Sequence, residues 1–253
     1  MSGRKIGSKE KQQSGRRLRD RSGYSLASVA VVVCILMILI ALFLPATRRA
    51  PEAARRSQCK NNLKQIGLAL YNYADVYESL PPAFTVDEEG EPLHSWRTLI
   101  LPFADQQALY KTIDLSKPWD DPVNAAARDA VIPTYTCPSG DSPRTHTTYM
   151  AVAGPDACFS GTQPRRFSDI TDGTSQTLML IEVSPDDAVH WMMPRDSGRR
   201  FALTFGAESQ LNHTGGTHAS LADGRVRFLS SGLSDTQRRA LITISGNDSA
   251  GQW

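Results

Sequence analysis

The sequence has no strong excess of charge of either sign. Its 28 Lys and Arg nearly balance 26 Asp and Glu, for a formal net charge of +2, so overall charge argues against a nucleic-acid partner. No internal repeat is present, and 253 residues suit one large domain or two small ones. Enzyme signatures are missing as well. There is no G-x-S-x-G, H-E-x-x-H, Walker loop or G-x-G-x-x-G. The four cysteines contain no C-x-x-C pair, which argues against a zinc-finger type of metal site. Together these absences point to a non-enzymatic protein, with no cofactor or metal expected.

A local absence is more informative. Residues 25–44, SLASVAVVVCILMILIALFL, carry no charge at all. A helix of that length spans roughly 30 Å, the thickness of a bilayer's hydrocarbon core. Each central Leu, Ile, Val or Phe favours insertion by about 0.3–0.6 kcal/mol. The run is apolar on every side, unlike a helix buried in a globular core. It is also longer than the apolar part of a cleaved secretory signal, about 7–15 residues, and it ends in Leu44-Pro45-Ala46 before Arg48 and Arg49. A single transmembrane helix over residues 23–45 is therefore expected.

The flanks set its orientation. Residues 1–22 hold Arg4, Lys5, Lys9, Lys11, Arg16, Arg17, Arg19 and Arg21 against Glu10 and Asp20. The other flank is basic too, through Arg48, Arg49, Arg55 and Arg56. The short basic tail is the easier part to leave in the cytoplasm. This places residues 1–22 inside the cell, the helix in the inner membrane, and residues 46–253 outside the cytoplasm as one globular domain.

In that domain Leu63, Ile66, Leu70, Tyr73 and Tyr77 recur at helical spacing. Pro45 and Pro51 suggest a kink or break between this stripe and the membrane run, and Pro81-Pro82 a stop. Residues 95–111 read as a helix with Trp96, Leu99, Ile100, Phe103 and Leu109 inward, and residues 124–131 as a further helical turn or two. Residues 134–137, 147–152, 177–183 and 226–229 have strand character. Asp223-Gly224 signals a tight hairpin of the type that wants positive φ at both central residues. Residues 185–211 read as a long loop with one strand at most. Strands gathering after helices argue for an α+β fold with an antiparallel sheet.

Few residues invite chemistry. Cys34 lies in the apolar run. Cys59, Cys137 and Cys158 would lie in an oxidising compartment, where three single pairings are open. His213, His218 and Asp223 invite a metal or catalytic reading, but their spacing does not share a helix face, and structural hydrogen bonding explains them better. Asp169, Asp172 and Thr174 around Gly173 suit either Ca²⁺ or a turn capped by Asp172. Glu182 is a candidate partner for Arg97. Trp96, Trp119, Trp191 and Trp253 suit packing, or stacking on sugars.

Several phrases in order then resemble one family. Gly23-Tyr24-Ser25-Leu26-Ala27-Ser28 is similar to a prepilin leader. Ala53-Ala54-Arg55-Arg56, Cys59-Lys60-Asn61-Asn62-Leu63-Lys64-Gln65-Ile66-Gly67-Leu68-Ala69-Leu70, Ser95-Trp96-Arg97, Leu101-Pro102-Phe103, Cys137-Pro138-Ser139 and Asp169-Ile170-Thr171-Asp172-Gly173-Thr174-Ser175 follow. The series ends in an H-x9-D-G motif, His213 with Asp223-Gly224. The chain thus resembles a large bacterial family of type IV pilin-like or pseudopilin-like proteins with a C-terminal domain of unknown function. The resemblance implies a pilin-like fold: a long, interrupted N-terminal helix, transmembrane in its first half, packed on an antiparallel sheet. It implies cleavage between Gly23 and Tyr24 by a prepilin peptidase, and partners that are the lipid bilayer and other membrane helices or pilin-like subunits. It also favours a Cys59–Cys137 disulfide, since both cysteines belong to the shared phrases; such a bridge contributes about 2–4 kcal/mol. One departure stands out. Ser28 occupies the position where such leaders carry Glu, whose carboxylate meets a neighbouring subunit's new N-terminal amine, so filament assembly is in question while anchoring is not. The runner-up is a membrane-tethered glycan- or protein-binding module, and the third reading a tethered hydrolase using His213 and Asp223.

Overall fold

The computed structural model describes residues 25–251, with the side chains of 40–51 outside that description. The basic tail 1–22, the processing residues Gly23 and Tyr24, and Trp253 lie outside the described residues. The chain divides into two compact units, Met1–Arg48 and Arg49–Trp253.

The first helix, α1, runs from Leu26 to Tyr77. α1 is helical through Pro45 and Pro51, so the short break that these prolines suggested does not occur. Each proline removes one N–H bond and crowds the carbonyl four residues before it, a cost that can bend a helix without ending it. In the first unit, residues 25–39 expose their apolar side chains, from Leu26 at 90% to Leu39 at 44%. No helix among the described residues is long and apolar enough to cross a membrane. Of the run 25–44, however, the side chains are described only through residue 39.

In the second unit α1 buries Cys59, Asn62, Leu63, Ile66, Ala69 and Leu70, one stripe at spacings of three and four. The helix is followed by β1 (Phe84–Val86) and β2 (Pro92–Ser95), an antiparallel pair. The helix expected over 95–111 is instead two short pieces, α2 (Trp96–Leu99) and α3 (Gln107–Tyr110), with a 3₁₀ turn at Leu101–Phe103 between them. Pro102 lacks the N–H a continuous helix would need. A 3₁₀ turn at Pro122–Asn124 leads into α4 (Ala125–Arg128), as the sequence suggested. The strand expected over 134–137 is a correction: Pro133–Tyr135 forms a 3₁₀ turn.

Four strands make the main sheet: β4 (Tyr149–Ala151), β5 (Leu178–Glu182), β7 (Gly216–Leu221) and β8 (Val226–Ser230). They pair antiparallel in the order β4-β5-β7-β8. Two further short strands, β3 (His146–Thr147) and β6 (Val189–His190), pair beside them. The β7–β8 hairpin is present, but only Gly224 has positive φ, at 81°. The Leu221 N–H bonds Arg225 O and the Gly224 N–H bonds Leu221 O. The loop is thus longer than the two-residue turn expected, with glycine in its left-handed position.

Residues 185–211 are not a plain loop. They hold α5 (Gly198–Thr204), and α6 (Asp235–Ile242) follows the sheet. These two helices cover the face of the sheet opposite α1. Met150, Ile181, Ala219 and Leu221 pack with Phe201, Phe205, Leu241 and Ile242, while Tyr149, Ala151, Met179 and Leu180 pack with Leu63, Ile66 and Leu70 of α1. The fold is α+β in three layers, with every residue of β5 and β7 buried.

One buried ion pair fixes the α2 segment to this core. Asp196 Oδ1 accepts from Arg97 Nη2 at 2.6 Å and from the Ala151 N–H at 2.7 Å, and Trp96 Nε1 donates to Oδ2 at 3.1 Å. Arg97 also donates to Tyr149 O and Ser95 Oγ. The pair is 0% and 4% exposed. Arg97 therefore pairs with Asp196 and not with Glu182, a correction to the sequence reading. Removing one partner of such a pair strands the other's charge. Asp196→Ala is expected to lower unfolding stability by about 3–5 kcal/mol, read as a shift in denaturant midpoint; a loss under about 1 kcal/mol would contradict the role given to the pair.

Candidate functional site

Beneath α1 lies a cluster of ionisable side chains. Cys59 comes from α1, Cys137 from the segment after the 3₁₀ turn, Glu182 from the end of β5, and His213 from the loop before β7. Each element delivers its residue for a local reason. Cys59 sits on the buried stripe one turn before Leu63. Glu182 continues the alternation of β5 that turns Ile181 toward α5 and α6. His213 is held by a bridge to Gly216, where a Cβ would fall 2.0 Å from Leu229 O, so only glycine lets β7 begin so close to β8.

The geometry is tight. Cys59 Sγ and Cys137 Sγ are 2.8 Å apart. His213 Nε2 is 3.2 Å from Glu182 Oε2, and His218 Nδ1 is 3.6 Å from the same oxygen. On the other side of its ring, His213 Nδ1 lies 3.6 Å from Glu52 Oε1. Asn212 Nδ2 donates to Glu182 Oε1 at 3.0 Å. One donor atom from each of Cys59, Cys137, Glu182 and His213 lies within 4.8 Å of all the others. Glu182 is 0% exposed and His213 1%. Despite this burial, Glu182 Oε2, both ring nitrogens of His213 and Nδ1 of His218 have no partner in hydrogen-bond geometry. The His–Glu contacts are close enough for ion pairing but misaligned for a hydrogen bond.

Electrostatics follow from the packing. Contact with the Cys137 thiol, helped by His213 and opposed by burial, lowers the Cys59 thiol to about 6. Cys137 is correspondingly raised. Burial alone would raise the Glu182 carboxyl, but His213 and His218 hold it at about 2. Burial would lower His213, but Cys59 and Glu182 raise it to about 10. The cluster therefore favours a thiolate and a carboxylate around an imidazolium.

The sequence readings map unevenly onto this site. The expected Cys59–Cys137 disulfide is not formed, and all four cysteines are free; the sulfurs are in contact but beyond the roughly 2.05 Å of a bond. His213 and His218 do come together, at 4.6 Å between ring centroids. Asp223 does not join them: it sits past the far end of β7 and accepts from the Arg225 N–H. A hydrolase built on His213 and Asp223 is thus not assembled. Trp96 and Trp191 are buried and cannot stack on sugars. Asp172 does not cap its own turn but accepts from the Gly246 and Asn247 N–H groups, at 2.6 and 2.8 Å. Nothing in the sequence reading points to Glu182 as the hub. Its mark in the sequence is a lone acid ending an apolar strand.

Residues 48–150 and 139–211 match the model of a family described as a protein of unknown function, DUF1559. The match includes Cys59, Cys137 and Glu182, and lies outside both the leader and the His213 to Gly224 motif. No curated protein and no solved structure matches the chain.

These three groups give the reduced protein a defined pH profile. Glu182, lowered, contributes stability present above about 4.5 and lost as pH falls through about 2. His213, raised, contributes stability present below about 6.5 and lost as pH rises through about 10. Cys59, lowered, contributes stability present above about 9 and lost as pH falls through about 6. Between about pH 6.5 and 9 the last two offset, so a plateau from about pH 4.5 to 9 is expected in thermal unfolding. Cys59→Ser removes the offset and should start losing stability near pH 6.5. A variant that keeps the plateau would contradict the coupling.

Proposed function

The chain belongs to the DUF1559 family, and on that premise we propose that it is a single-pass, membrane-anchored pseudopilin-like protein. It would act in an envelope secretion or surface-assembly apparatus, without enzymatic activity, its N-terminus cytoplasmic and residues 46–253 outside. The observation that carries the reading is the exposed row on α1. Val29, Val31, Val32, Val33, Ile35, Leu36, Met37, Ile38 and Leu39 are each at least 44% exposed. So much apolar surface on one uncharged stretch suits lipid or neighbouring helices and not water. The leader-like Gly23-Tyr24-Ser25-Leu26 supports the prepilin part of the reading.

The mechanism would be lateral. The apolar run packs with other membrane helices, while the second half of α1 holds the three-layer head. Ser28 carries no charge into the bilayer, where a carboxylate costs roughly 2.5–3.5 kcal/mol or more. Assembly would then rest on apolar packing instead of a charged pair.

Two readouts on the full chain test this. After alkaline carbonate washing it should stay in the membrane fraction, and its intact mass should begin at Tyr24. A chain released by carbonate, or one beginning just after Ala46, contradicts the anchor. Cys34 is exposed, so mild oxidation in membranes should trap a dimer or a mixed pair through it; a strictly monomeric product contradicts lateral assembly.

A further inference from the structure

We propose that Cys59, Cys137, Glu182 and His213 bind one zinc-like divalent transition-metal ion, which clasps α1 to the sheet. The inference does not rest on the membrane reading, because all four residues lie in the second unit.

Four donors of the right kinds already converge. Two thiols, an imidazole and a carboxylate offer atoms within 4.8 Å of one another. Zinc takes sulfur at about 2.3 Å and nitrogen or oxygen at about 2.0–2.2 Å, so tetrahedral neighbours stand roughly 3.3–3.8 Å apart. His213 Nε2 and Glu182 Oε2 are at 3.2 Å, already near that spacing. The sulfurs, at 2.8 Å, would open by about 1 Å. With Nε2 on the metal, Nδ1 faces Glu52 at 3.6 Å, the carboxylate–histidine support common behind metal ligands. Asn212 orients the other Glu182 oxygen, and His218 stands beside the ligating one.

The second, independent observation is the lack of partners. Glu182 Oε2 and both ring nitrogens of His213 are buried with no hydrogen bond, which leaves their lost hydration uncompensated. A metal supplies that compensation at Oε2 and Nε2 together. A Cys59–Cys137 disulfide would satisfy only the sulfurs and leave the carboxylate as it is. Cys59 is 0% exposed, which suits a metal ligand better than a nucleophile that must meet a substrate. Thiolate and imidazole select soft or borderline ions over Ca²⁺ and Mg²⁺. On binding, Cys137 and any remaining protonated Cys59 and His213 release their protons to solvent, and no electrons move.

The test uses the full chain in mild detergent, reduced, freed of metal with a chelator, and titrated with Co²⁺ as the spectroscopic stand-in for Zn²⁺. One Co²⁺ per chain is expected, with thiolate-to-cobalt charge-transfer absorption that Zn²⁺ abolishes and Ca²⁺ or Mg²⁺ leaves alone. Cys137→Ser should lose most of that absorption. Glu52→Ala should keep it but bind about tenfold more weakly. Cys158→Ser, also buried but outside the cluster, should match the parent. A folded, reduced parent chain that takes up no Co²⁺ overturns the proposal, whatever the variants do. So does protein isolated without metal and with Cys59 bonded to Cys137.

Discussion

The structure turns on the carboxylate of Glu182. It ends the central strand β5, is fully buried, and faces histidines where an arginine or lysine would be the common answer. A charge in that place must be matched, because its desolvation costs several kcal/mol. The match is spread over three residues: Asn212 and His213 from the loop, and His218 from β7. Cys59 brings α1 to the same spot, and Cys137 brings the segment after Tyr135. The layers are thus joined at one polar point, while apolar packing supplies most of the rest.

A second buried charge, Arg97, follows the same logic with a different solution. Asp196 meets it directly, and backbone groups of β4 complete both ends. Arg238 is a third case. It donates to Leu233 O, Ala202 O and Ser231 O and lies 4.1 Å over the Phe205 ring, tying α6 to α5. The Arg97–Asp196 pair uses backbone groups on the outer edge of β4, and Arg238 uses carbonyls of α5 and of the loop after β8, groups with no strand partner of their own.

Much of this was legible where one period dominates. The stripe Leu63, Ile66, Leu70 gave the packed half of α1, and the alternating segments gave β4, β5 and β8. The reading failed where a proline or a short element broke the period. Pro102 and Pro133 turned an expected helix and strand into helical turns, whereas Pro45 and Pro51 did not end α1. α6 carried a signal that was passed over: Ser234 and Gln237 form a reciprocal cap, the S-x-x-Q pattern of a helix start. The site was half legible. Cys59 and Cys137 of the shared phrases do meet, though not as the disulfide expected, and His213 meets His218, but Glu182 could be placed only by the register of β5 against β7. The paired His and Asp of the H-x9-D-G motif serve different ends of β7, one the buried cluster, the other the hairpin.

As the metal centre proposed above, this buried cluster would hold one ion among its four donors, unlike a bridge or an empty ion pair. Diffraction from crystals grown without chelator, recorded on both sides of the zinc absorption edge, tests it most directly. One anomalous peak inside the second unit is expected, bounded by Cys59, Cys137, Glu182 and His213. Continuous density joining the two sulfurs, with no peak beside Glu182, would contradict it.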